Sequence, residues 1–174
     1  MRFLFLLLSI LLAKVDYSLS TCPKPCVCIR RRAFCDQTQI KAMPSNLPKY
    51  LTYINLAKNY LRRLNWRRMR RLSNLKHIVA DSNKIFTLDN RIFKACPNLT
   101  SLSIADNRLA KIMDNDTFSG LGRLRALNMA DNRLTDLKAV LRDLENLLYF
   151  SAAGNRLTSL SSEEFVGNPN LKGN

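Results

Sequence analysis

The sequence has little of what enzymes commonly use for chemistry. It holds one histidine, His77, one tryptophan and five glycines in 174 residues. It contains no phosphate-binding loop, no dinucleotide-binding glycine pattern and no metal-ligand spacing. His77 has no serine or cysteine nucleophile at a recognisable spacing, so it is interpreted as a surface histidine or a contact residue. We predict no catalytic residue, no metal and no cofactor, and hence no enzyme.

Acidic residues are also scarce. The chain has 13 Asp and Glu against 28 Lys and Arg, which gives a formal net charge of +15. Such an excess indicates acidic partners, whether sulfated glycans, anionic surfaces or nucleic acid.

Long hydrophobic runs are missing after residue 20. The start, MRFLFLLLSILLA, joins a positive Arg2 to an apolar run that is short for a membrane span, and Ser18-Leu19-Ser20 offers small residues for cleavage. We predict a secretory signal peptide at residues 1–20; a short membrane anchor or a buried helix is the alternative. Its removal leaves a mature chain near +14, because it takes away Arg2, Lys14 and Asp16. We therefore expect an extracellular protein and no nucleic-acid partner.

Four of the five cysteines lie in CPKPCVCIRRRAFC, at Cys22, Cys26, Cys28 and Cys35. In an oxidising compartment this predicts two disulfides that close a small unit, whereas a zinc site is disfavoured by the spacing. Three pairings are possible, and the pairing of Cys26 with Cys28 is disfavoured because one residue separates them. The remaining Cys96 is either a reactive thiol or a core residue; we favour the core.

One pattern recurs along the rest of the chain. The stretch LTSLSIADNRLAKI at Leu99 has counterparts at Leu51, Leu75, Leu124 and Leu147, with periods of 23 to 25 residues. Such a period predicts a stacked solenoid in which neighbouring coils bury each other's apolar residues. Each copy also has an asparagine at its ninth place, where its amide can satisfy backbone groups freed by the turn. These asparagines are Asn59, Asn83, Asn107, Asn132 and Asn155.

The pattern L-x-x-L-x-L-x-x-N-x-L, with the cysteine cluster and MPSNLP from Met43, resembles the extracellular leucine-rich repeat family. The even period fits Slit-like or Toll-like ectodomains better than small leucine-rich proteoglycans, which mix repeat lengths. The resemblance implies disulfides Cys22–Cys28 and Cys26–Cys35. It also implies an α/β solenoid, a curved horseshoe with a short parallel sheet on the concave face and an irregular or short-helical convex side.

The predicted organisation is a signal peptide (1–20), a disulfide-bonded cap (21–50) and leucine-rich repeats (51–174). The repeats are 51–74, 75–98, 99–123, 124–146, 147–170 and a partial 171–174. The sequence stops at LKGN, four residues into a coil and without a C-terminal cysteine cap, so we expect a fragment of a longer product. A membrane span, an anchor or further domains stay open.

The predicted function is an extracellular recognition module, secreted or part of a receptor or adhesion protein, which binds a protein on its concave face. The alternative is a matrix-associated protein that binds heparan-type or other acidic glycans; the non-catalytic domain of an enzyme is a third possibility. The predicted protein contacts come from the strand positions of each repeat, where tyrosines supply large contact area at low entropic cost. They are Tyr53, Asn55, His77, Val79, Asp81, Ser101, Ser103, Asp106, Asn128, Asp131, Tyr149 and Ser151.

The predicted glycan contacts are the dense arginines of RRLNWRRMRR and of the cap, because the planar arginine fork matches oxyanions. They are Arg62, Arg63, Arg67, Arg68, Arg70, Arg71, Arg30, Arg31 and Arg32. A second basic row, Lys84, Arg108, Arg133 and Arg156, follows the asparagines along an edge. Two sequons predict glycosylation at Asn98 and Asn115.

Overall fold

The computed structural model describes residues 22–112 and 116–172. The predicted signal peptide, Asn115 and the last two residues of the chain lie outside these ranges. Within them, no helix is long and apolar enough to pass through a membrane.

Seven three-residue strands form one sheet, in chain order, within the described residues. The first two, β1 (Val27–Ile29) and β2 (Arg32–Phe34), make an antiparallel hairpin. All later neighbours pair in parallel. The later strands are β3 (Tyr53–Asn55), β4 (His77–Val79), β5 (Ser101–Ser103), β6 (Ala126–Asn128) and β7 (Tyr149–Ser151). The repeat strands β3 to β6 alternate as predicted, each with a buried middle residue, and the middle residue of β7 is half-buried.

The return half of each coil is irregular or carries one short helix. The helices are α1 (Trp66–Met69) and α2 (Lys138–Leu141), and a 3₁₀ turn spans Ser162–Phe165. The buried Met69 of α1 belongs to an outer core column that also holds Phe93 and Phe118, whose rings stack with centroids 5.9 Å apart. The predicted leucine-rich repeat solenoid, with a parallel sheet and few helices, is confirmed.

The ninth-place asparagines join successive coils. Asn107 is 8 % exposed, and its amide nitrogen donates to the carbonyls of Ile104 and Ala105 in its own coil and of Ala80 in the preceding one. Its amide oxygen accepts from the backbone N–H of Ile85. Asn83 and Asn132 repeat this arrangement, so each turn's buried backbone groups find partners across the coil boundary.

The cap covers the first coil. It contains the disulfides Cys22–Cys28 and Cys26–Cys35, the same pairing that the family resemblance implies. The backbone N–H of Cys35 donates to the carbonyl of Asn55 at 2.8 Å, which continues the sheet's bonding from cap to repeat.

Cys96 is a buried free cysteine in the core. Its thiol lies 3.8 and 3.7 Å from the carbonyl oxygens of Met69 and Leu72, and burial raises its pKa to about 11. Asn168 occupies the same repeat place in the last coil and donates to Leu141 and Leu144 in the same way. In these two coils the side chain at this place therefore donates to carbonyls of the preceding coil, which the leucines at the same place in other repeats cannot do.

Candidate functional site

The solvent-facing side of the sheet is the first candidate site, and we call it the concave face. Its side chains come from the first and third residues of each strand. At the cap end, the rings of Phe34, Tyr53 and His77 follow one another across β2, β3 and β4. The Phe34 and Tyr53 centroids are 5.7 Å apart, and those of Tyr53 and His77 are 6.4 Å apart. We call these three residues the aromatic row.

Arg32 lies against this aromatic row. Its guanidinium carbon is 4.4 Å from the centroid of Tyr53 and 5.4 Å from that of Phe34. A cation over a ring face is held by the ring's quadrupole, so Arg32 extends the row as a positive edge. The pKa of His77 is lowered by burial first, and then by the charges of Lys76 and Arg32. The imidazole is therefore mostly neutral at pH 7 and above.

The centre of the concave face is low and made of small residues. A shallow depression of about 190 Å³ has Ser101, Ser103, Ala126 and Asn128 in its floor. Tyr149, which is 54 % exposed, stands at its far side. The ammonium of Lys172 lies 5.7 Å from the centroid of the Tyr149 ring. Aromatic side chains thus lie at both ends of the concave face, and small, mostly polar side chains lie between them.

The three predicted acidic contacts occupy two different repeat places. The carboxylate of Asp81 accepts from the hydroxyl of Ser103 at 2.6 Å and from the backbone N–H of Ala105 at 2.9 Å. Asp106 and Asp131 instead occupy the turn after the strand, with left-handed φ of 50° and 53°. Asp81 holds the seventh repeat place, and its hydrogen bonds join it to the neighbouring coil. Asp106 and Asp131 hold the eighth place, so they lie in the turns at the edge of the sheet.

The predicted arginine cluster is divided among different surfaces. Arg32 is on the concave face, and Arg31 belongs to the start of the strands, where its Nε donates to the carbonyl of Tyr50. On the convex side, Arg67 and Arg70 lie 5.9 and 5.5 Å from the ring of Trp66. Arg62 lines a depression at the edge where the strands end. The predicted glycan contacts therefore include residues on several surfaces, since the β-hairpin places Arg32 on the concave face, and glycan binding by them stays a prediction.

The edge where the strands end carries the second candidate site. Two adjoining depressions of about 560 and 530 Å³ share Arg62 and Lys84 in their walls, and we call them together the edge groove. The groove is lined by Lys41, Tyr60, Arg62, Lys84, Phe86, Arg108, Ala110 and Arg133. Sequence reasoning placed Lys84, Arg108 and Arg133 along an edge but missed Lys41, Tyr60 and Phe86. Counting the tenth and twelfth repeat places shows Tyr60 and Phe86 on the same edge.

The sequon residue Asn98 lies at the opposite edge, where the strands begin. It is half-buried, its amide nitrogen donates to the carbonyl of Ser73 and its amide oxygen accepts from Arg123. Glycosylation there stays a prediction. Among the described residues, no three His, Cys, Asp or Glu side chains group in a way that could hold a metal ion.

Comparison with known proteins agrees with this architecture. Residues 73–134 match the model of the leucine rich repeat family. Mouse epiphycan is 33 % identical over 84 residues, which cover 48 % of this chain and 26 % of that protein. Dog opticin is 33 % identical over 95 residues (55 % and 28 %), and mouse nephrocan is 26 % identical over 136 residues (78 % and 26 %). The chain thus spans about a quarter of these relatives.

A solved structure shares the fold. The crystal structure of human 5T4 (Wnt-activated inhibitory factor 1, trophoblast glycoprotein) superposes with a TM-score of 0.76 at 22 % identity, covering 90 % of this chain and 62 % of that one. Epiphycan, opticin and nephrocan are small leucine-rich proteoglycans, so the relatives include the group that the even repeat length disfavoured. The chain thus has the leucine-rich repeat solenoid fold with a disulfide-bonded N-terminal cap, and it is similar to secreted matrix proteins of the leucine-rich repeat type.

Proposed function

We propose that the chain is a recognition module that binds a protein partner on its concave face and performs no chemistry. The observation that carries this proposal is the arrangement of aromatic side chains at both ends of that face, with small side chains between them. Aromatic anchors near a low, adaptable centre are typical of protein interfaces, because they bury large area at small entropic cost.

The cap end supplies the more rigid anchor. Tyr53 is held between Phe34 and His77 and is covered by Arg32. A side chain already ordered by its neighbours loses little further freedom on binding. At the other end, the more exposed Tyr149 offers its ring with Lys172 beside it. The depression between them fits one or two protruding side chains of a protein partner.

The chemistry of the face also favours a protein ligand over a reaction. His77 faces the ring of Tyr53 and lies near the charges of Lys76 and Arg32. Cys96, the free thiol, is buried in the core away from this face and is protonated at neutral pH, because burial raises its pKa to about 11. Neither group is placed to attack a substrate.

The test compares two pairs of aromatic substitutions. In one variant Tyr53→Ser and Tyr149→Ser remove the concave anchors. In the control, Tyr50→Ser and Trp66→Ser remove two exposed aromatic residues, 37 % and 44 % exposed, from other surfaces. Both variants and the wild-type chain are applied to a panel of displayed extracellular proteins, with heparin present to suppress charge-driven binding. Thermal melting shows that each variant is folded.

We expect partners of the wild-type chain to bind the concave variant at least about tenfold more weakly, since interface anchors of this kind often cost more than 1.4 kcal/mol when truncated. The control variant should keep their affinity. Partners that bind both variants with equal affinity would show that another surface makes the contact. So would partners whose affinity falls only for the control variant.

A further inference from the structure

The edge groove joins features that protein binding by the concave face does not use. It combines five cationic side chains and two exposed aromatic rings, Tyr60 at 45 % and Phe86 at 54 % exposure. The five cations are Lys41, Arg62, Lys84, Arg108 and Arg133. We propose that the edge groove is a binding site for an extended sulfated glycan, laid along the solenoid across successive coils.

The spacing of the cations is set by the fold. The backbone N–H groups of Lys84, Arg108 and Arg133 donate to Leu61, Ile85 and Leu109 of the preceding coils at 2.9, 2.8 and 2.7 Å. The tenth place of each of these coils is therefore bonded to the eleventh place of the preceding coil, which fixes the offset between successive cations. Neighbouring strands lie about 4.8 Å apart, so the row places one cation at each step of that length. Arg156 continues the same row in the fifth coil.

A regular row favours a linear polyanion. The Debye length is about 8 Å at physiological salt, which exceeds the step between coils, so the potentials of neighbouring cations add. A single anion interacts with only part of this field, whereas a chain with repeated sulfates interacts with the whole row. Arginine's planar fork also matches an oxyanion better than a point charge does.

Among the described residues, no groove cation forms an ion pair. In the described part of the chain, one ion pair forms, Arg91 with Asp116 at 2.8 Å, and it lies outside the groove. Asp106 and Asp131 precede Arg108 and Arg133 by two residues, yet within the described ranges neither forms an ion pair with them. Lys84 instead places its ammonium 4.7 Å from the ring centroid of Tyr60.

The aromatic rings distinguish a sugar polymer from other polyanions. Tyr60 and Phe86 sit among the cations at the tenth and twelfth repeat places. Pyranose rings have apolar C–H faces, and an aromatic ring that alternates with cations can cover such a face while sulfates reach the neighbouring charges. The convex depression beside Trp66 is a weaker candidate, because Arg91 in its wall is already paired with Asp116.

The experiment uses two variants that remove the same charge. The groove variant carries Lys84→Ser, Arg108→Ser and Arg133→Ser. The convex control carries Arg67→Ser, Arg70→Ser and Arg71→Ser, so both chains lose three positive charges. The affinity of each for a fluorescent heparin dodecasaccharide is measured between about 0.1 and 0.5 M salt, the range over which counterion release is apparent. Melting curves establish that both variants are folded.

We expect the groove variant to bind at least about tenfold more weakly than the wild-type chain. Its slope of log Kd against log salt should fall by about 2, since each lost cation on a flexible polyanion contributes about 0.7. The convex control should keep the wild-type slope within about one unit. If the groove variant melts early, the milder pair Arg108→Lys and Arg133→Lys keeps the charge, and a loss of affinity there supports recognition by the arginine fork.

Three results would overturn the proposal. Equal losses in the two variants would show that heparin responds to net charge alone. A larger loss of heparin affinity in the convex control would place the glycan site at Arg67, Arg70 and Arg71. Displacement of heparin by single-stranded DNA of equal charge, as effectively as by unlabelled heparin, would show that the groove does not recognise a sugar polymer. None of these results bears on the concave-face variants, so the two proposals are tested separately.

Discussion

Asn107 shows how the ninth-place asparagines hold successive coils in register. Its side chain makes four hydrogen bonds while only 8 % exposed, three of them donated and one accepted. We expect Asn107→Ala to lower the free energy of unfolding by about 3 kcal/mol, because it leaves the N–H of the buried Ile85 without its partner and removes one hydrogen bond from each of three carbonyls. Urea unfolding followed by circular dichroism measures the change.

Two asparagines serve as controls for that effect. Asn74 is exposed and makes one side-chain bond, to the carbonyl of Lys49, so Asn74→Ala should cost less than about 1 kcal/mol. Asn155 makes equivalent bonds in the fifth coil but is half-buried, and its substitution should fall between the other two. A cost for Asn107→Ala no larger than for Asn74→Ala would show that water replaces the amide.

His77 reports on the charge of the concave face. Burial, Lys76 and Arg32 all lower its pKa below the ordinary 6.5. Since it is the one histidine of the sequence, its imidazole protons give a single titrating signal by NMR. We expect that signal to titrate below pH 6.5 in the native chain. Arg32→Gln should raise the pKa, whereas Arg133→Gln, in the edge groove, should leave it unchanged.

The same shift sets a direction for stability. Above pH 6.5 the imidazole is mostly neutral in both the folded and the unfolded chain, so its contribution is fully present. As the pH falls from 6.5 through the native pKa, the unfolded chain binds the proton first and stability is lost. His77→Gln should remove this loss. A native pKa above 6.5 would contradict the prediction.

At the scale of elements, the sequence predicted the strands because every one repeats the same physical requirement. The middle residues Ile54, Ile78, Leu102 and Leu127 all turn into the core, and the asparagines follow each strand at a fixed distance. A pattern enforced five times is hard to mistake for chance. The outer halves of the coils were less predictable, since Asn168 and Cys96 serve one role with different side chains.

Surface clusters were harder to predict than the core. Arg30, Arg31 and Arg32 are neighbours in sequence, but Arg30 has a left-handed φ of 54° in the hairpin turn and Arg32 enters a strand. A single turn thus sends adjacent side chains to different surfaces. The edge groove is the opposite case, because residues about 24 apart meet there. Repeat periodicity predicted its cation row, whereas sequence proximity alone does not show which neighbouring arginines share a surface.

At the scale of the whole molecule, positive charge is spread over a scaffold that neutralises little of it. The chain has 28 basic and 13 acidic residues, and the one ion pair among the described residues is exposed, at 57 % and 45 % for its two side chains. An exposed pair contributes little. Repulsion among the remaining cations therefore opposes the compact state, while it raises the attraction for an acidic ligand.

Added salt should consequently stabilise the free protein. Raising NaCl from about 0.01 to about 0.5 M shortens the Debye length from about 30 to about 4 Å, which screens the repulsion between coils. We expect the melting temperature to rise by about 2–4 °C, the shift that 1 kcal/mol produces in a chain of this size. The variant Arg67→Ser, Arg70→Ser, Arg71→Ser should melt higher at low salt and respond less to its addition. Identical responses of the two chains would show that self-repulsion does not limit the fold, and that its excess charge costs it no stability.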